Sequence, residues 1–584
     1  MAAGRAVQPG ILLLGVLSCV GLYSCERMNE FQLFKRPQSK AEKPSEEQQL
    51  AQKTQPLPGT VGAACGIEGM RMMLVEGYGL VVDLGGRGSS ECPEPLRQEL
   101  VEAIARNQRR YTVDGKRESE SPAALIASRD TAVVRIAGQI PAGALKGERF
   151  DLSVEALPNT GTTSLEGGWL YPCDLRAYAG AGSRSMKTRI LARAEGATFI
   201  NPFEKEEPEK RAVLRRQGYV LGGGINLEDR RLSLRLNQPS YGLARSMEQK
   251  INSLFTPPPD DPLRRTAQAV SPSKIELHIP PEYRDRKEYF LALLRSLYIR
   301  SDPNFLERQA RDLRREILSP LTNVEAISFA WETMGKTVLP MIQELYRSSN
   351  VQAAFYSARA GAALGDDLAV DRLQGFALGN GAYPRKAIEQ LGFCRSVSAQ
   401  RALRKVIEES DLDQRIRAYE ALARTGDVSV RREDVGHGNF RLDVVASKSW
   451  PVVYVSRSKE PRIVLFGQIT VEPPVFYTHW DESIMISADR DDKELSLVRK
   501  LPSGRITGRV AGPLDLAALL KLSGEDLAAR DGKFTALGLP YSHVVSILHA
   551  LCADGSIPAR FQLEQRSILP DQWDASLGRP EREE

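Results

Sequence analysis

Through residues 66–300 apolar and polar positions alternate at a period of two in short runs broken by turns. Leu80-Val81-Val82 between glycines, Thr131 to Ile136, Phe150 to Val154, Leu232 to Leu236 and Lys274 to Ile279 each predict a strand. Helical spacing interrupts them at Tyr241 to Phe255 and at Arg286 to Leu297, where Phe290, Leu293, Leu294 and Leu297 share a face. Strands and helices without regular βαβ spacing predict an α+β fold.

Over 301–435 the period changes to a helical one, with Ala- and Leu-rich segments in succession. Ala353 to Asp366, Arg385 to Gly392 and Arg415 to Asp427 look alike, recurring about every 30 residues as in paired helices of a HEAT-like array. An irregular helical bundle is the alternative. Gly365, Gly392 and Gly426 stand where helix C-caps are expected. Over 436–570 strands return. Val452 to Val455 and Arg462 to Phe466 flank Ser456 to Pro461 as a hairpin, Ser483 to Ser487 is a further strand, and a helix (Ser542 to Ala553) precedes a last strand (Ala559 to Leu563).

The ends read differently. In residues 1–25, Arg5 precedes an apolar run from Ile11 to Leu22, too short for a comfortable span, which is the layout of a secretory signal peptide. Leu22-Tyr23-Ser24-Cys25 has the form of a lipobox, so Cys25 is a lipidation candidate; Val16-Leu17-Ser18-Cys19 is an earlier one, and an ordinary signal peptide with two cysteines is the plain reading. Residues 26–64 form a polar linker rich in Gln, Glu, Lys, Ser and Pro, and 571–584 a polar tail expected to be disordered.

Length and composition bound the function. A chain of 584 residues, 42% hydrophobic and 26% charged, should hold three or more folding units. A net charge of +5 is small for that length and is no nucleic-acid signature, though it suits an anionic wall or headgroup surface. In an exported chain Cys65 and Cys92 could form a disulfide, whereas Cys394 and Cys552 read as buried thiols.

Searches for chemistry give little. Gly77-Tyr78-Gly79 and Gly85 to Ser90 do not complete a phosphate-binding loop, and Gly222-Gly223-Gly224 reads as a crowded turn before the Leu232 strand. His278, His437, His479, His543 and His549 are scattered, with no HExxH and no closely spaced Cys/His set, so the sequence predicts neither metal nor cofactor. The carboxylate runs Glu204 to Glu209 and Asp489 to Glu494 read as solvated loops. Arg211, Arg215, Arg216, Arg230, Arg231 and Arg235 are either a solvated basic face or a contact surface for an acidic partner. No catalytic constellation emerges, and the expectation is a non-enzyme; a glycosidase-type carboxylate pair is the remaining enzymatic reading.

Leu74 to Gly88, with Gly77-Tyr78-Gly79-Leu80-Val81-Val82, resembles the opening segment of mature flagellar P-ring proteins. Thr131 to Pro141, Arg149 to Val154, Ser164 to Leu170, Ala192 to Phe203, Leu232 to Phe255 and Ile275 to Leu294 resemble that family's next segments in order. Val452 to Gly467 and Thr535 to Phe561 are similar to its ending. The resemblance implies a P-ring-type α+β body in two parts, 65–300 and 436–570, interrupted by an inserted helical-repeat domain at 301–435. It further implies a structural ring in the periplasm around the flagellar rod, built of copies of the chain. The rod, the outer-membrane ring and peptidoglycan are its neighbours, and no catalytic residue or cofactor carries over. The lipobox, linker and helical insertion depart from the family. They favour as the alternative a lipid-anchored envelope scaffold or binding module outside any flagellum.

Overall fold

The computed structural model describes residues 55–111, 121–177, 189–201, 213–256, 265–501, 504–530 and 533–565. In chain order the first elements are α1 (Val61–Ala64), β1 (Cys65–Glu68), β2 (Met73–Val82), α2 (Glu94–Tyr111), α3 (Pro122–Ala127), β3 (Ala132–Ile140), β4 (Arg149–Ala156), β5 (Trp169–Ala177) and β6 (Ile190–Ala197). There follow β7 (Gln217–Asn226), β8 (Leu232–Leu236), α4 (Tyr241–Leu254), β9 (Ala267–Ser271), β10 (Lys274–Leu277) and α5 (Lys287–Ser296). Folded structure begins before the expected end of the polar linker at 64. Leu57, Thr60 and Val61 are buried, and Thr60 bridges Tyr298 beyond α5. Two apolar residues with partners outweigh the polar composition around them.

Six of these strands close into a barrel in the order β2-β3-β4-β7-β6-β5, antiparallel throughout. A barrel this narrow must fill its interior with residues that alternate in size. Val75, Val81, Phe150, Leu152 and Val154 supply bulk, and glycines give way beside them. A Cβ on Gly77 would lie 2.7 Å from the Asp174 carbonyl of β5. The Gly-Tyr-Gly motif is thus a strand requirement at the seam where β2 meets β5, not a ligand loop. Gly222 to Gly224 likewise lies inside β7, not in a turn. Gly222, at φ +59°, is where β7 shifts register against β4, and a side chain there would collide with the Lys459 carbonyl. Beside the barrel, β1-β8-β10-β9 form an antiparallel sheet. Leu232, Leu234, Ile275 and Leu277 of that sheet pack on Met247 and Ile251 of α4 and on Phe290 and Leu294 of α5.

The helical region comprises α6 (Pro303–Glu316), α7 (Val324–Met334), α8 (Leu339–Gln343), α9 (Val351–Ala363), α10 (Asp367–Leu378), α11 (Pro384–Phe393), α12 (Val397–Glu409) and α13 (Leu412–Thr425). Asp302, Asn323, Asn350, Asp366, Ser396 and Asp411 each cap a helix, their side-chain oxygens accepting from backbone N–H groups of the first turn. From α9 onward each helix packs on the next and the next but one. Gly365 and Gly426 end α9 and α13 with positive φ as expected. Gly392 does not: it lies within α11, where its missing side chain admits Ala421 of α13. Helix also stops ten residues short of the expected boundary at 435, because 430–435 is a strand. Its run Arg431-Arg432-Glu433-Asp434 hides the alternation in charge, as suits an edge strand.

The remaining elements are β11 (Val430–Val435), β12 (Phe440–Val445), β13 (Val452–Val455), β14 (Arg462–Phe466), β15 (Val475–Thr478), β16 (Ile484–Ala488), β17 (Leu495–Arg499) and β18 (Val510–Gly512). After them come α14 (Leu516–Gly524), β19 (Ala528–Arg530), β20 (Lys533–Ala536), α15 (Tyr541–Ala553) and β21 (Arg560–Leu563). One sheet runs β11-β12-β14-β13-β21, another β15-β16-β17-β18. The expected hairpin forms between β13 and β14, but β12 pairs β14 and β21 pairs β13 in parallel.

The β11–β21 sheet is covered on both faces. Val445, Val452, Tyr454, Val464 and Phe466 face the core of the helical region. Leu442, Val453, Val455, Ile463 and Leu465 face α14, α15 and the second sheet. Double burial explains the unbroken apolar runs Val452-Val453-Tyr454-Val455 and Ile463-Val464-Leu465-Phe466. Phe199 and Leu221, from the barrel side, join the second of these cores.

Gly77→Ala should destabilise the chain by about 1–3 kcal/mol, since backbone stands in the way. Gly66→Ala in β1, where nothing lies within 4 Å, should be neutral or slightly stabilising in the same denaturant titration. Phe466→Ala should cost about 3–5 kcal/mol. Amide exchange should then quicken in α13 as well as in the sheet; loss of protection confined to the strands would show that the helices fold independently.

Candidate functional site

Polar side chains converge where the barrel meets the C-terminal elements. The loop between β4 and β5 carries Glu166, the turn between β15 and β16 carries His479, Trp480 and Asp481, and the first turn of α15 carries His543. Glu166, His479 and His543 are all buried, and each places a ligand-type atom within 4.8 Å of the others. His479 Nε2 lies 3.6 Å from Glu166 Oε1 and 3.9 Å from Asp481 Oδ1. The two imidazole rings are 4.7 Å apart, centroid to centroid.

Surrounding groups fix this arrangement. Trp480 Nε1 donates to Glu166 Oε2 at 2.9 Å, and the Arg215 guanidinium lies 3.6 Å above the same indole ring. Arg87 donates to the Glu166 carbonyl at 2.8 Å and pairs with Asp481 at 3.4 Å. Tyr477 Oη and His479 Nδ1 are 2.9 Å apart. Gly167 follows Glu166 with φ +72°, and a Cβ there would sit 3.1 Å from His543 Cε1, so glycine brings the loop onto that ring.

The electrostatics set two charge states. Burial alone would raise the Glu166 carboxyl, but the nearby His479 ring and the Arg87 guanidinium hold it below the usual carboxylate range. Burial pushes the His543 imidazole down to about 4, so at neutral pH it is uncharged with a free lone pair. The cluster therefore holds one buried carboxylate and one neutral imidazole that can donate an electron pair.

Residues singled out in the sequence fall elsewhere. The lipidation candidate Cys25 lies outside the described residues, as do the signal-peptide run, Glu204 to Glu209, Arg211 and the tail 571–584. Cys65 and Cys92 are free thiols in separate cores, Cys65 under the β1 sheet and Cys92 beside α2 and α3. Cys65 donates to the Val61 carbonyl at 3.0 Å, and burial pushes its thiol up to about 11. The described arginines of the basic region have partners within the chain, Arg231 and Arg235 while still largely exposed. Arg216 donates to the Leu157 carbonyl, Arg230 to the carbonyls of Ile140, Pro141 and Arg71, Arg231 pairs Glu276 and Arg235 pairs Glu68. Asp489 to Glu494 forms the exposed turn between β16 and β17. Sequence reasoning passed over the Glu166 cluster because its members come from three distant points of the chain. Only Tyr-Thr-His-Trp-Asp, polar and aromatic residues crowded at 477–481, marks it in one dimension.

Residues 61–305, which hold the barrel, the β1 sheet, α4 and α5, match the family model described as flagellar P-ring protein. That region is similar to flagellar P-ring proteins. A P-ring protein of Bradyrhizobium diazoefficiens is 28% identical over 257 residues, covering 43% of this chain and 63% of that protein. One from Nitratidesulfovibrio vulgaris is 26% identical over 262 residues, covering 42% and 64%. One from Aquifex aeolicus is 27% identical over 226 residues, covering 37% and 55%. The chain thus spans less than two thirds of the length of these P-ring relatives. Glu166, Arg87 and Arg215 belong to the P-ring region, whereas His479, Trp480, Asp481 and His543 lie beyond it.

Trp480→Phe keeps a ring beneath Arg215 but removes the donor to Glu166, leaving a buried carboxylate oxygen without it. It should cost about 1–3 kcal/mol in urea unfolding of the full chain. Unchanged stability would mean the indole does not clamp the barrel to the C-terminal part.

Proposed function

We propose that this protein is a structural, non-enzymatic component of a flagellar basal body in the bacterial envelope, assembling with copies of itself into a periplasmic ring around the rod. The observation that carries this reading is the match of residues 61–305 to the P-ring family, over a region folded into a barrel and a sheet-and-helix unit. The segments at Val452 to Gly467 and Thr535 to Phe561 extend the reading to the C-terminal part. The body then has two parts, with a HEAT-like stack inserted between them.

Ring closure requires head-to-tail contacts, hence two different complementary surfaces on each copy. Two sheet edges offer candidates. Strand β15 ends its sheet with Phe476 73% exposed and Met485 of β16 beside it, and β9 ends another with Val270 57% exposed. Exposed apolar side chains on unpaired edges suit strand-to-strand association. Expected neighbours are the rod, the outer-membrane ring and peptidoglycan.

A second reading rests on Leu22-Tyr23-Ser24-Cys25: a lipid-anchored envelope scaffold that uses the same body away from any flagellum. Among the described residues no helix is long and apolar enough to cross a membrane; the anchor of this second reading is an acylated Cys25.

Deleting the gene should abolish swimming, and purified basal bodies should contain the protein. A fully motile deletion strain would overturn the ring. Membrane association of the chromosomally produced protein, lost on Cys25→Ala, would then establish the scaffold instead.

A further inference from the structure

We propose that Glu166, His479 and His543 bind a divalent transition-metal ion of the zinc class, which fastens the barrel to the C-terminal part. This is independent of the ring reading: motility bears on that one, metal content on this.

Three observations carry it. First, all three side chains are buried and their donor atoms converge within 4.8 Å, close enough for small side-chain rotations to bring them onto one ion. Second, His479 Nε2 and His543 Nδ1 are both buried with no hydrogen-bond partner. Buried polar atoms seldom go unpaired, and one unpaired lone pair costs about 1–3 kcal/mol. A cation between them satisfies both lone pairs and the carboxylate together. The competing occupant is a proton, making His479 an imidazolium paired with Glu166, and it leaves His543 Nδ1 still unpartnered. Third, the outer contacts orient the donors as ligand sites require. Tyr477 Oη engages His479 Nδ1, which turns Nε2 toward Glu166, and Trp480 holds Glu166 Oε2, which leaves Oε1 facing the histidines.

Two imidazole nitrogens and one carboxylate oxygen form a borderline donor set, suited to zinc and its neighbours and not to calcium or magnesium. Asp481 stands beside the set as a second carboxylate, already engaged by Arg87 and by the Ser483 backbone N–H. Three protein donors leave a fourth position, which a water would fill. The ligands come from a barrel loop, a β-turn and a helix start, so the ion links elements that are far apart in the chain.

The test uses the full chain without a histidine tag, produced in zinc-replete medium. Elemental analysis should find about one zinc per chain. Chelation should lower the melting temperature, re-added Zn2+ should restore it, and Co2+ should give visible absorption of nitrogen–oxygen ligation. His479→Gln and His543→Gln should each lose the metal and the chelator response, while His437→Gln, exposed and paired with Asp526, should keep both. Wild-type protein without bound metal, with a chelator-insensitive melting temperature and no cobalt absorption, overturns the proposal whether or not the variants fold. Metal retained equally by both histidine variants overturns it as well.

Discussion

The β11–β21 sheet is apolar on both faces, and the rest of the molecule is arranged to cover it. Val452, Tyr454, Val464 and Phe466 point one way and Val453, Val455, Ile463 and Leu465 the other. Such a sheet exposes too much apolar surface to stand alone, so each face needs a layer. The helical region supplies one, with Tyr419 edge-on to Phe466 and its hydroxyl on the buried Asp443 carboxylate. Helices α14 and α15 and the second sheet supply the other. A helical region that shares its core with the sheet is a wall of the body, not an appendage.

Shared burial also joins the P-ring-like region to the C-terminal part. Phe199 and Leu221 enter the C-terminal core, and Asp151 accepts from the backbone N–H of both Gly222 and Lys459. Gly222 admits this approach, while Gly223 and Gly224 make room for Val220 and Phe150. On the helical side, Arg359 is buried against Phe329, donates to Ser328 and pairs with Glu332, which also accepts from Tyr289 of α5. A buried arginine with a full set of partners is a positional lock more than a source of stability. Barrel, helical region and C-terminal sheets are thereby tied through specific polar contacts as well as shared apolar cores.

Periodicity made most elements legible. Strand β8 and the β13–β14 hairpin fall where alternation placed them, and α4, α5 and α15 where helical spacing did, because each has one clear face or a bounded apolar run. The barrel was not legible: closure depends on which distant strands pair, and its glycines resemble loop glycines until β5 is seen crossing β2 at Gly77. Strand β11 was hidden by its edge charges, and Gly392 by the assumption that a glycine after a helical run must end it. Of the candidate site nothing was legible beyond its aromatic neighbourhood. Ligand spacing rules work only where the chain folds back locally, and here Glu166 meets His479 and His543 solely because the barrel docks on the C-terminal part.

That docking gives the cluster its meaning. Glu166 belongs to the region shared with P-ring proteins, while both histidines lie outside the matched residues, so the cluster can form only where the two parts meet. A buried carboxylate held ionised between two imidazoles is costly unless the contact is complete, which makes the cluster a check on correct assembly of the body. A displaced docking would separate His479 and His543 from Glu166 and leave its buried carboxylate uncompensated. Apolar cores bring the parts together with little preference among nearby registers. The polar cluster selects one.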